Sequence, residues 1–375
     1  MNKPELPHWR SLDIKAFSEI FRNRATSYKF LWMQGILHTV KQGRCRNNVL
    51  PERLLVACML DLAKYPLRRF RLSLGYNDKV DQTLSQLAEL KNWRQLETGV
   101  LNHSIEARFE DIPDFIYRKL IGYVPYRLLS PFLPGKSLKN LGEKALHKKV
   151  ISLAERRFDS SSPPLYRMLP EKQAIELHPL WRDYLKSNMP VIEAWAKWHW
   201  ANYLRGCNPN VPAIQDKLEK PHRRRSLTKE REFWRWVIGA HGTIQCIFSG
   251  QMLSVADFAL DHYVPRDFIA HDQMWNLSPI TRQMNEKKSG LLPPDQCFEE
   301  FVRLQHIGLS TCHSRKPGNY NGLMESYLAN LGVSVWNHSP PTLEDLTKAY
   351  AQVIPPLLQL ARNSGFETWE GTHTA

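Results

Sequence analysis

Between Phe258 and Gly290 the chain changes period three times in about thirty residues, and this constrains the fold more than any other stretch. Phe258 to Val264 is a short apolar run closed by Pro265, which reads as a strand. A polar loop with Arg266, Asp267, His271 and Asp272 leads to a second apolar stretch, Trp275-Asn276-Leu277. Thr281 to Lys288 then has helical character, and Gly290 is placed to stop it. Strand, loop, strand and helix so close together specify a compact ββα unit. Asp261 and His262 are neighbours on the first strand, so they point to opposite faces or flank its end. Asn285 projects from the helix. A carboxylate and an amide oxygen are hard ligands suited to Mg²⁺. A neutral imidazole beside them can take a proton from water. A base and a cation are what phosphodiester hydrolysis requires.

The rest of the chain reads as mostly helical. Helices are expected over Asp13–Arg24 and Ser27–Val40, the second burying Phe30, Met33, Leu37 and Val40 on one face. A third follows Pro51 and runs through Leu54–Leu62. Leu67–Leu74 alternates basic and apolar residues and predicts a short exposed strand. Ser160-Ser161-Ser162-Pro163-Pro164 has loop composition and marks a boundary. The tryptophan-rich stretch Val191–Leu204 is a helix whose indoles favour core packing over base stacking. After the ββα unit, helices are expected over Phe298–Leu304 and Leu343–Leu360, with Pro355-Pro356 interrupting the latter. The expected fold class is therefore α+β, a mostly helical protein carrying a small ββα module. The expected division is a helical domain over 1–160, a Trp-rich and basic connection over 165–239, the ββα module over 240–295, and a helical extension over 296–375.

Charge narrows the partners. The 375 residues hold 51 Lys and Arg against 37 Asp and Glu, a formal net charge of +14. That excess favours a polyanion, and nucleic acid ahead of a membrane surface. Two stretches concentrate it. From Arg118 to Arg157 ten basic residues face two acids, Glu143 and Glu155, which fits either a solvated helical face or a phosphate-contacting surface. From Lys217 to Arg231 seven basic residues face two acids, centred on Arg223, Arg224 and Arg225, and these three are the expected DNA contacts. An 11% aromatic share argues against a disordered chain. No apolar run approaches the ~18 residues of a membrane span. The start, MNKPELPHWR, lacks a basic-then-apolar signal pattern, so a cytoplasmic location is expected. The six cysteines are dispersed and form no Cys-x-x-Cys pair, so they are expected to be reduced and mostly buried.

Asp261-His262-Tyr263-Val264-Pro265, then Trp275-Asn276-Leu277, then Asn285-x-Lys287 and Leu292-Pro293 together resemble the HNH endonucleases, also called ββα-metal nucleases. The core match covers about an eighth of the chain. Upstream, Asn208-Pro209-Asn210-x-Pro212, Phe233-Trp234, Cys246-x-Phe248-Ser249-Gly250 and Ser27–Trp32 resemble longer bacterial HNH endonuclease domain-containing proteins. The resemblance implies a metal-dependent DNA endonuclease with His262 as general base and Asp261 and Asn285 holding one Mg²⁺ or Mn²⁺. It implies that Asn276 braces the histidine-bearing loop and that Lys287 contacts phosphate. Arg266 stands where relatives often carry tryptophan and adds a further phosphate contact, or is a solvated loop residue. His271 and Asp272 are expected as a turn and a cap. The first zinc knuckle of many relatives is here Cys246-Ile247-Phe248-Ser249, so no structural zinc is expected. Ile247, Phe248, Leu260 and Trp275 are expected to pack in its place. By family analogy the role is bacterial defence or restriction, with other proteins of such a system as partners. A single site cuts one strand at a time, so nicking is expected unless the chain forms a homo-oligomer. Two alternatives stay open: a DNA-binding or regulatory protein whose module does not cleave, and an RNA-cleaving toxin.

Overall fold

A computed structural model describes residues 6–9, 11–96, 104–122, 124–220, 226–315, 325–332 and 340–370. The architecture is α+β and mostly helical, with two small antiparallel sheets. The chain divides into two compact units, one of residues 1–209 and 217–220, the other of residues 210–216 and 221–375. No helix among the described residues is long and apolar enough to cross a membrane.

The first unit is built around α2 (Tyr28–Lys41), which packs against α3 (Glu52–Lys64). Phe30, Met33, Leu37 and Val40 of α2 are all buried, as their spacing predicts, and so are Leu31, Trp32 and Ile36 between them. A helix apolar on nearly every side must sit at the centre of its unit, and this one does. A three-stranded antiparallel sheet lies beside it, with β3 (Ala174–Leu177) between β1 (Val49–Pro51) and β2 (Tyr166–Leu169). The Ser160–Pro164 loop lies inside this unit, because β2 after it and β1 before it pair with the same strand. In α9 (Met189–Cys207) the indoles divide. Trp200 is buried, Trp195 packs on Phe17 and Phe21 at centroid distances of 5.2 and 4.9 Å, and Trp198 is exposed.

Leu67–Leu74 is not a strand. Tyr65–Arg69 continues α3 as a wider π-helical turn, and Leu67, Phe70, Leu72 and Leu74 are all buried. Alternation mimicked a strand, but a strand with one apolar face needs a pairing edge, and Leu72 N–H instead donates to the Pro66 carbonyl at 2.9 Å. The basic stretch after Arg118 includes α7 (Glu143–Arg157), which buries Val150, Leu153 and Ala154. Glu143 pairs with Arg127 and Glu155 with Arg167, leaving Lys144, Lys148 and Arg156 exposed.

The second unit holds the ββα arrangement. Strand β4 (Ala259–His262) pairs antiparallel with β5 (Leu277–Ile280), matching Asp261 with Ser278 and His262 with Leu277. Helix α12 (Arg282–Lys288) follows at once. Thr281 caps it by accepting a hydrogen bond from Met284 N–H at 3.3 Å. Around the hairpin lie α10 (Thr228–His241), α13 (Phe298–Arg315) and α15 (Leu343–Asn363). Tyr263 stacks on Phe301 at 4.0 Å, and Phe301 meets Tyr350 edge-on. The Tyr350 hydroxyl donates to the Trp275 carbonyl at 2.7 Å, and Gln305 Nε2 donates to the Leu277 carbonyl at 2.8 Å. The extension thus braces the strands directly. Ile247, Phe248, Leu260 and Trp275 share one buried cluster with Cys246 and Cys297.

The Pro355-Pro356 pair does not interrupt α15, which runs unbroken through it. Leu346, Tyr350, Ile354, Leu358 and Ala361 form a buried stripe at helical spacing, while both prolines face solvent. Each internal proline costs about 3 kcal/mol. Here Ala351 and Gln352, whose carbonyls lose their helical partners, are exposed, so water can satisfy them.

Candidate active site

Three polar side chains, of His262, Arg266 and Asp272, converge where β4 ends. His262 Nε2 lies 2.9 Å from Asp272 Oδ1. Arg266 Nε donates to the same oxygen at 2.7 Å, and its Nη2 lies 3.4 Å from the other. Burial alone would raise the Asp272 carboxyl. Hydrogen bonds from His262 and Arg266, with the Arg266 charge, instead hold it well below the usual carboxylate range. An ionised Asp272 accepts, so His262 carries its proton on Nε2. Nδ1 has no hydrogen-bond partner among the described residues, which leaves a lone pair available as a base.

The backbone that presents His262 is held by Asn276, which is fully buried. Its Oδ1 accepts from Val264 N–H at 2.8 Å, and its Nδ2 donates to the Val264 carbonyl at 2.9 Å. Its own carbonyl accepts from Tyr263 N–H at 2.8 Å. Asn276 therefore touches the turn after His262 and closes both of its free backbone groups. Replacing Asn276 with alanine leaves those two groups unpaired and is expected to cost roughly 2–4 kcal/mol. Chemical denaturation of wild type and variant measures it. A loss within about 0.5 kcal/mol, the size of an ordinary surface change, contradicts the bracing role.

Asp261 is buried on the other side of the strand. Its Oδ2 lies 2.8 Å from Nζ of Lys288, which is itself fully buried. The approach is close but off-axis, so Oδ2 receives no aligned hydrogen bond. Lys288 Nζ also donates to the His262 carbonyl at 3.0 Å and sits 5.7 Å from the Phe248 ring centre. Asp261 Oδ1 has no hydrogen-bond partner among the described residues, and neither does the half-buried Asn285 side chain. Asn285 precedes Lys288 by one helical turn, so the two share a face of α12. Among the described residues no group of three or more His, Cys, Asp or Glu side chains is set to hold a metal ion. Asp261 Oδ1 and the Asn285 amide offer two hard oxygens without other partners, which fits an ion that keeps most of its waters.

Of the residues singled out from sequence, Asp261, His262 and Asn276 come together around one strand end, with Asn285 on the adjoining helix. Arg266 is engaged by Asp272. Lys287 is exposed, and the lysine turned into the fold is its neighbour Lys288. Arg223, Arg224 and Arg225 lie outside the described residues. Lys288 was not singled out from sequence, and Asp272, expected as a cap, is instead the partner of His262 and Arg266, the cap position before Met274–Asn276 falling to Gln273. A helical signal existed for Lys288: it follows buried Met284 by four residues, which places it inward and Lys287 outward. For Asp272 the only signal was an acid in the same loop as Arg266.

Asp272 also makes the site sensitive to acid. A carboxyl depressed by folding stabilises the native state fully above its unfolded value of about 3.9, and that contribution is lost as pH falls through the native value. Asp272→Asn should therefore lower stability by roughly 2 kcal/mol at neutral pH. The gap between wild type and variant should be constant above about pH 4 and narrow below it. Denaturation curves at several pH values test this, and a gap that widens toward acid contradicts it.

No protein-family model, curated protein or solved structure matches the chain.

Proposed function

We propose that this chain is a metal-dependent endonuclease that hydrolyses phosphodiester bonds in DNA. The observation that carries the reading is the imidazole of His262, held by an ionised Asp272 at 2.9 Å with Nδ1 unpartnered, beside a buried carboxylate on the same strand. His262 Nδ1 takes the proton from a water as that water attacks phosphorus. Asp272 stabilises the imidazolium so formed and fixes the ring, and Arg266 keeps Asp272 ionised. Asn276 holds the turn that aims the ring. Asp261 and Asn285 would hold one Mg²⁺ or Mn²⁺, and the ion would supply positive charge to offset the charge that builds up during hydrolysis. The products are a 5′-phosphate and a 3′-hydroxyl, with one strand cut per event. The net charge of +14 supports a polyanionic substrate, and Arg223, Arg224 and Arg225 are the proposed phosphate contacts. Defence against foreign or modified DNA is the role proposed by analogy with the HNH resemblance.

Substrate class is tested by incubating the chain with duplex DNA, single-stranded DNA and RNA of one sequence, each in Mg²⁺, Mn²⁺ and EDTA, with modified and unmodified duplex compared. Cutting of duplex DNA in metal alone supports the reading. Cutting of RNA alone favours an RNA-cleaving toxin. Binding of duplex without cutting in either metal favours a module that docks.

A further inference from the structure

The four buried or half-buried charges of the site cancel in pairs: Asp272 with Arg266, and Asp261 with Lys288. The second pair is the tighter enclosure. Lys288 has a side-chain exposure of 0%, and Asp261 of 8%. The lysine is fixed at three points, by Asp261 at 2.8 Å, by the His262 carbonyl at 3.0 Å and by the Phe248 ring at 5.7 Å. The ammonium is thus enclosed beside the carboxylate in the free chain.

We propose that Lys288 keeps the Asp261 site electrically neutral in the free protein, so that a divalent ion binds there weakly until a phosphodiester brings the second negative charge. The inference rests on the reading of Asp261 and Asn285 as metal ligands. Affinity for a hard divalent cation follows the number of negative ligands, and Asn285 contributes none. With Oδ2 committed to the ammonium, Asp261 offers Oδ1 alone, and the ion meets a carboxylate whose charge is already offset. Phosphate oxygens of the nucleic acid would complete both the charge and the ligand set. Lys288 is thus a positioning residue. It ties α12, and with it Asn285, to the end of β4, and it makes ion occupancy depend on substrate.

The test measures Mn²⁺ binding by electron paramagnetic resonance in the full chain carrying His262→Ala, which prevents cutting of the DNA present. Four forms are compared, with and without a duplex oligonucleotide: His262→Ala alone, and the same chain with Lys288→Met, with Asp261→Asn, or with both. Mn²⁺ that survives Asp261→Asn is counted as bound to the DNA itself. The expected result is at least about tenfold tighter Mn²⁺ binding with duplex than without. Lys288→Met should bind Mn²⁺ at least about tenfold more tightly without DNA, and Mn²⁺ should raise its melting temperature more than that of the His262→Ala parent. Asp261-dependent binding of equal strength with and without duplex overturns the inference while leaving the metal site standing, and so does unchanged affinity on removing Lys288. Absence of Asp261-dependent binding in every form removes the metal reading and the inference together. If Lys288→Met does not fold, Lys288→Gln, which removes the charge and keeps a donor for the His262 carbonyl, takes its place, with the same results expected and the same results overturning the inference.

Discussion

Replacing His262 with alanine is expected to slow phosphodiester cleavage by about 10²–10⁴-fold, the usual contribution of a general base. The fold should tolerate the change, because the ring makes a single hydrogen bond, to Asp272, and Asp272 keeps its contacts with Arg266. The backbone at this position is held independently. Its carbonyl accepts from Lys288, and the turn beyond it is closed by Asn276. Circular dichroism and duplex affinity should therefore match wild type while the cleavage rate falls. Cleavage at the wild-type rate would remove His262 as the base. Loss of folding together with activity would mean that its ring is a structural member of the unit.

The second large effect concerns the Asp261–Lys288 pair and is a matter of stability as well as activity. Either single change, Asp261→Asn or Lys288→Met, leaves one buried charge without its partner and should cost about 3–5 kcal/mol. The double variant removes both charges and should recover most of that loss, since an apolar or neutral pair of similar volume does not carry the desolvation cost. Cleavage should not recover with it, because Asp261 is the ionised metal ligand in the proposed mechanism. Urea denaturation of all four chains gives the cycle. Single variants that each lose less than about 1 kcal/mol would place the pair in the same class as an exposed ion pair, against its burial here.

Local pattern carried much of this fold. Period changes between Phe258 and Gly290 were enough to read strand, strand and helix, although the second strand runs Leu277–Ile280, slightly later than Trp275–Leu277. The buried face of α2 followed from spacing alone. What failed was decided by partners distant in sequence. Leu67–Leu74 alternated like a strand, but its first residues continue α3 as a π-helical turn and the rest is irregular, with Leu67, Leu72 and Leu74 all buried. Pro355-Pro356 looked like a break, yet the apolar stripe from Leu346 to Ala361 outweighed two missing hydrogen bonds on the solvent side. The site shows the same division. Asp261, His262 and Asn276 announced themselves by residue type and order. Asp272 did not, because a loop aspartate becomes a partner of His262 only when the Pro265–Gln273 loop folds back. Its left-handed Ala270, at φ 60°, is a turn that no glycine advertised.

The most direct measurement of the central claim is conversion of supercoiled plasmid to nicked circle by the purified chain. In Mg²⁺ or Mn²⁺ the wild type should accumulate nicked circles bearing 5′-phosphate and 3′-hydroxyl ends, EDTA should stop it, and His262→Ala should bind the plasmid equally well without nicking it. Nicking that persists undiminished in EDTA, or in His262→Ala, would contradict the assignment of metal-dependent phosphodiester hydrolysis to this site.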